Sequence, residues 1–229
     1  MKLIRFHIRG LSPGMLQNPA TPELLESLRT KKPVQKKTDI TIHDDAAIKL
    51  YRSEAVEGPG KMGIPMQNIM ASMVLAGQHV KNGKKALSTA KSTMIFGFLT
   101  FIEDFCPFKG CDKDGNVTWK PFPVKGTMHN GASEVAVCIN RPRIPEWEAM
   151  FTVKLDDTQL DDSKLEELVR IAGRQIGLGD WRPSKKGRFG RFVITKIETL
   201  PFNTKEEVIE RVKYDEGTAP VEMVELATA

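Results

Sequence analysis

EAMFTVKLDDTQLDDSKLEELVRIAGRQIGLGDWRPSKKGRFGRFVITKI, residues 148–197, changes its hydrophobic period twice. From Glu148 to Leu155 the apolar side chains fall on every second position: Ala149, Phe151, Val153 and Leu155 share one face, the signature of a half-buried strand. After a polar connection, Ser163 and Glu166 have the spacing of a capping box, in which each side chain satisfies an open amide of a first helical turn. Leu165, Leu168, Val169, Ala172 and Ile176 then recur at helical spacing, and Gly177 and Gly179 end the run. Arg188 to Ile197 returns to a strand. The order strand, helix, glycine-rich loop, strand is that of a split β-α-β unit of the ferredoxin-like type.

The N-terminal end supplies a matching strand. Ile4, Phe6 and Ile8 alternate with Arg5, His7 and Arg9, so one face is apolar and the other cationic, until Gly10 to Pro13 break the pattern. Arg29 to Thr38 is basic and irregular, Thr38 to Ile42 reads as a short strand, and Glu57 to Gly63 as a loop. Met66, Ile69, Met70, Met73 and Val74 follow Ile64-Pro65 with helical spacing. Residues 78–93 read as an exposed loop and 94–101 as a core strand or helix. Asp114-Gly115 marks a turn: as a calcium loop it has its glycine at the wrong place and no closing Glu. Ala132 to Ile139 reads as a strand that Arg141-Pro142-Arg143 interrupts. The expected class is therefore α+β, an RRM-like (ferredoxin-like) core over 1–200. Insertions fall at about 28–62 and 78–146, and an acidic tail covers 201–229.

The 229 residues carry a net charge of +5, unevenly distributed. Glu198 to Ala229 holds eight acids and three bases, a net of −5, which leaves +10 on residues 1–197. A basic body with an acidic tail suits a polyanionic ligand, although a solvated surface would give the same balance. No apolar run reaches the roughly 18 residues of a membrane span, and MKLIRFHIRG lacks the uninterrupted apolar core of a signal peptide. The expected location is the cytoplasm. Three cysteines, Cys106, Cys111 and Cys138, are too few and too irregular for a disulfide framework. They read as buried free thiols, with a metal site shared with His129 as the alternative. No cofactor is expected.

Gly177 to Phe192 concentrates the binding chemistry: four glycines, five bases, one acid and three aromatics. Glycines let a backbone approach phosphates and expose amide donors, while Lys and Arg neutralise phosphates. Trp181 and Phe189 have rings on which unpaired bases stack. A nucleotide-binding fingerprint needs its glycines between a strand and the start of a helix; here the helix presents its C-terminal end. The candidate contacts are Trp181, Arg182, Lys185, Lys186, Arg188 and Arg191, extended across the sheet by Arg5, His7 and Arg9 and through the loop by Lys31 and Lys32. A long basic hairpin whose rings plug the core is the structural alternative.

Three places resemble the RAMP superfamily of CRISPR systems, in particular its guide-coating backbone subunit. Leu3 to Gly10 is similar to the family's opening strand. Gly63-Ile64-Pro65-Met66-Gln67-Asn68 resembles its Ile-Pro helix start, with Gln67-Asn68 in place of the usual small pair. Gly177 to Ile194 resembles its C-terminal glycine-rich loop, lengthened by Asp180 to Pro183. The resemblance implies a subunit that coats guide RNA as a helical filament of copies of itself, with other effector subunits and a thumb-like insertion drawn from residues 31–37 or 81–91. A phage-type single-stranded DNA-binding or annealing protein on the same scaffold is the alternative. In the family's RNA-cleaving branch an Asp lies between the first strand and the Ile-Pro helix. Asp45, then Asp44, is the matching position, which would make the chain a metal-dependent RNA endonuclease.

Overall fold

The computed structural model describes residues 1–20, 22–30, 40–55, 60–130 and 133–201. Along the chain run β1 (Lys2–Gly10), β2 (Met15–Leu16), α1 (Pro22–Thr30), α2 (Ile42–Ala47), β3 (Gly63–Pro65) and α3 (Met66–Ala76). Next come β4 (Lys81–Asn82), β5 (Lys85–Ala86), α4 (Ile95–Phe98), β6 (Leu99–Phe101) and β7 (Phe105–Pro107). β8 (Lys120–Asn130), β9 (Ser133–Ile144), β10 (Glu148–Leu155), α5 (Asp162–Ile171) and β11 (Phe192–Leu200) complete the order.

The alternation at the two ends of the chain becomes the main sheet. β1 pairs antiparallel with both β10 and β11, and β10 pairs with β6, giving the order β11-β1-β10-β6. Ile4, Phe6 and Ile8 of β1 and Ala149, Phe151, Val153 and Leu155 of β10 are buried, with the Phe6 and Phe151 rings stacked 5.3 Å apart. Against this face lie Ile69 and Met73 of α3 and Leu165, Leu168 and Val169 of α5, all in one core. Burying each such side chain stabilises the fold by about 1.5–3 kcal/mol, which is why an every-second-residue pattern in the strands and a helical one between them meet in a single layer.

A second sheet, in the order β2-β9-β8, is a long two-stranded ribbon joined at its base by β2. β8 was not foreseen, and β9 runs straight through Arg141-Pro142-Arg143, where an interruption was expected. The register explains the tolerance. Pro121 stands directly opposite Pro142. Antiparallel pairs alternate between positions that exchange N–H bonds and positions that do not, and two residues without N–H suit the latter. The Pro142 carbonyl is turned away from β8 and accepts from the Gln17 amide at 3.2 Å.

Other expectations are revised in detail. Of the strand expected over Thr38–Ile42, residues 38 and 39 lie outside the described residues, and Thr41-Ile42 instead begins α2, with the Thr41 hydroxyl accepting from the Asp44 amide at 3.1 Å as an N-cap. Residues 78–93 contain the small β4–β5 hairpin, anchored by buried Val80, Leu87 and Ser88. The 94–101 stretch is both helix and strand. α5 begins two residues before the expected capping box: Asp161 is the N-cap and Ser163 lies inside the helix, where it closes no box. Asp112 holds the 112–116 turn by accepting from the amides of Asp114 and Asn116 at 2.9 and 2.8 Å. Cys106 is buried, Cys111 half-buried and Cys138 exposed, so only part of the thiol reading holds; burial pushes the Cys106 and Cys111 thiols up. The side chain of His129 lies outside the described residues. No helix among the described residues is long and apolar enough to cross a membrane.

Candidate nucleic-acid interface

The glycine-rich loop is built on the protein's own backbone. A single π-helical turn, Ala172–Ile176, extends α5, and Gly177 leaves it with φ 75°. Gly179 and Gly190 both have positive φ. A Cβ on them would stand 2.2 Å from the Leu16 carbonyl and 1.7 Å from the Leu178 carbonyl, respectively. These two glycines thus admit close packing of the loop against β2 and against itself. The Asp180 amide donates to Leu16 O at 2.8 Å, Leu178 N to Gly190 O at 2.9 Å and Gly190 N to Gly14 O at 2.8 Å.

The loop divides its side chains by chemistry. Its rings turn inward: Phe189 is 3% exposed and packs 5.4 Å from Phe122 of β8, while half-buried Trp181 meets both rings at 6.4 and 6.5 Å. Its cations turn outward. Lys185, Lys186, Arg188 and Arg191 are exposed, and none forms an ion pair among the described residues. Arg188 lies over the Phe189 ring at 5.7 Å. Arg182 is half-buried, donating to Gly179 O at 2.8 Å and to the Ser184 hydroxyl at 3.1 Å. The loop's one acid, Asp180, is taken by Arg141 of β9 at 2.8 Å. Positive charge therefore projects from a loop whose acid is already neutralised.

Beside the loop is a polar cavity of about 250 Å³, lined by Asn18, Tyr51, Asn68, Ser72, Gly177 and Arg182 among others. Asn68 and Ser72 are one turn apart on α3, whose N-cap is Pro65 and which has no side-chain cap. A helix start without an anionic cap favours an anionic group nearby. Sequence reading found the Ile-Pro start but missed this cavity, because its lining comes from four separate segments.

The outer face of β1 differs from the loop. Arg5 donates to the Thr152 hydroxyl at 3.3 Å. His7 sits between Lys109 and Glu198, each at 3.0 Å. Lys196 and then His7 hold the Glu198 carboxyl down at about 2. Arg9 alone of the three is exposed and without an ion pair among the described residues. Lys31 and Lys32 lie outside the described residues, as does most of the acidic tail.

Asp45 is held in a different corner. Its Oδ2 accepts from Lys49 at 2.7 Å and from the Asn140 amide at 2.9 Å, clamping α2 to β9. Asp44 accepts from the Thr41 hydroxyl at 2.6 Å, and the His43 ring packs 4.7 Å from Trp119. No cluster of three or more His, Cys, Asp or Glu able to hold a metal ion occurs among the described residues.

No family model and no curated protein matches the chain. Among solved structures it is similar to a chain in the cryo-EM structure of the Type III-B Cmr-beta bound to cognate target RNA, with a TM-score of 0.47 and 12% identity. The similarity covers 87% of this chain and 60% of that one, so this chain spans 60% of its neighbour's length.

Proposed function

We propose that the protein binds single-stranded nucleic acid along the glycine-rich loop, as an RNA-coating backbone subunit of the RAMP type. The observation that carries this reading is the set of four exposed cations, Lys185, Lys186, Arg188 and Arg191, on a backbone-locked loop whose single acid is engaged elsewhere. Exposed cations neutralise phosphates with little regard to sequence. Within the loop, half-buried Trp181 offers a ring face for a base. The strand order β11-β1-β10-β6 with α3 and α5 on one face supports a ferredoxin-like core, with residues 28–62 and 78–146 as insertions into it. Within the second of these, the β8–β9 ribbon, bearing exposed Lys120 and Lys125, is better placed for a thumb than the short β4–β5 hairpin. Asp45 serves as a clamp between α2 and β9, so the reading is binding without cleavage.

Titrating the protein with RNA and DNA oligomers of one sequence across a salt series tests the proposal. Binding that weakens steeply with salt and prefers RNA is expected, since only RNA offers a 2′-hydroxyl. Equal or tighter binding to DNA would favour the phage-type alternative. Failure to bind either, or binding indifferent to salt, would overturn the reading.

A further inference from the structure

The geometry points to a second nucleotide-binding section, outside the glycine loop, in the groove between the end of β1, the 109–118 turn and the chain from Arg143 to Glu148. This inference rests on the nucleic-acid reading and extends the path of the bound strand. The groove has a volume of about 970 Å³, at the upper end of the roughly 300–1,000 Å³ of small-molecule sites, so it has room for more than one nucleotide.

Its lining is rich in uncommitted donors. Arg9 is exposed and unpaired among the described residues, and Ser12 and Thr118 expose hydroxyls with no partner there. Arg143 uses its Nε on Pro13 O at 2.9 Å and keeps its terminal nitrogens. The Trp147 indole nitrogen is buried without a hydrogen-bond partner, beside Gly10, where a Cβ would lie 2.2 Å from it. A buried donor with no acceptor costs free energy, and Gly10, having no side chain, leaves room for this ring. Three carboxylates share the groove. Asp112 uses its Oδ1 on its own turn, Glu148 stands opposite Arg9 and 4.0 Å from Lys109, and Glu146 is exposed. Three cations and two hydroxyls set among three carboxylates make a mixed lining, which suits nucleotides, whose phosphates and base edges accept and whose sugar hydroxyls or amino groups donate.

The groove is continuous with the loop. The Leu11 amide donates to Arg191 O at 2.8 Å, and Gly190 N to Gly14 O, so the 11–14 turn joins one to the other. Arg9 pairs with Val193, two residues beyond Arg191, and like-numbered alternation puts both arginines on the outer face of the sheet. A strand leaving Arg191 meets Arg9 next.

Length-dependent binding tests this. Parent, Arg9→Ala and a Ser12→Ala/Thr118→Val variant are titrated over salt with oligouridylates of about 4 and about 16 nucleotides, the span of common site sizes. On the long oligomer Arg9→Ala should flatten the slope of log K against log salt by about 0.7, one phosphate's worth for a single strand. The Ser12/Thr118 variant should bind the long oligomer more weakly with the slope unchanged. The short oligomer, which the loop alone accommodates, should bind all three proteins alike. Parent-like behaviour of both variants on the long oligomer, or equal losses on both lengths, would overturn the groove while leaving the loop reading intact. A parent that binds neither length would sink the nucleic-acid reading itself.

Discussion

Residues 182–191 and residues 5–9 are both cationic stretches at strands of one sheet, yet their charges meet different fates. On β1 each base has a register partner: Arg5 stands opposite Glu198 and Thr152, and Arg9 opposite Glu148. A strand in the middle of a sheet is flanked on both sides, so its outward side chains are met by whatever its neighbours present. Glu198 engages His7 and Lys196 and half-buried Arg5 is held on Thr152, while Arg9 at the strand's end keeps its charge. The loop has no such neighbours beyond Arg141 and Phe122, and its cations remain free. Local composition is thus a poor guide to displayed charge; Glu198, which engages His7, lies about 190 residues away in sequence.

The comparison breaks most severely if the inward half of the loop is emptied. Phe189→Ala removes a ring that is 3% exposed and contacts Phe122 and Trp181. A loss of about 3–5 kcal/mol in stability is expected from denaturant unfolding, because the cavity adds to the transfer cost. A loss under 1 kcal/mol would mean that the loop does not depend on that packing.

A smaller effect follows at the third charged corner. Asp45→Ala leaves Lys49 and the Asn140 amide without their shared carboxylate and should cost about 1 kcal/mol. Oligomer affinity should stay at the parent's value. Metal-dependent RNA cleavage by the parent that vanishes in this variant would instead restore Asp45 as a catalytic residue.

The smallest effect sharpens the contrast from the strand side. Lys196 and His7 hold Glu198 at about 2, below its usual 4.5. A carboxyl depressed in the folded state stabilises above its unfolded pKa, and that contribution disappears as pH falls from about 4.5 towards 2. Glu198→Gln should flatten the parent's acid-unfolding curve within that window and leave it parallel above. A curve of unchanged shape would show that Glu198 is not engaged by its neighbours.

The strands and helices that build the main sheet were legible because each buries one face. Ile4, Phe6, Ile8 and the 148–155 and 165–176 runs carry their periods openly. β8 was not, since KPFPVKGTMHN combines two prolines and a glycine with little alternation; its strand form is imposed by pairing with β9. The start of α5 shifted because Asp161 and Ser163 are both residue types that favour helix N-caps, and the spacing of Ser163 and Glu166 pointed to the later one. In the loop, residue types indicated chemistry but not direction. Trp181, Phe189 and the five bases look alike as a mixed cluster, and only Phe122, some 60 residues earlier, draws the rings inward. The cavity at Asn18, Tyr51 and Asn68 was invisible for the same reason, being assembled from distant segments.

Parallel salt titrations of one RNA oligomer with two variants address the contrast most directly. Lys185→Ala/Lys186→Ala/Arg188→Ala should flatten the slope of log K against log salt by about 2, three phosphates' worth, while Arg5→Ala/His7→Ala should change it by less than about 0.7. Equal slopes in the two variants, or a larger change from the β1 pair, would contradict the division between displayed and neutralised charge.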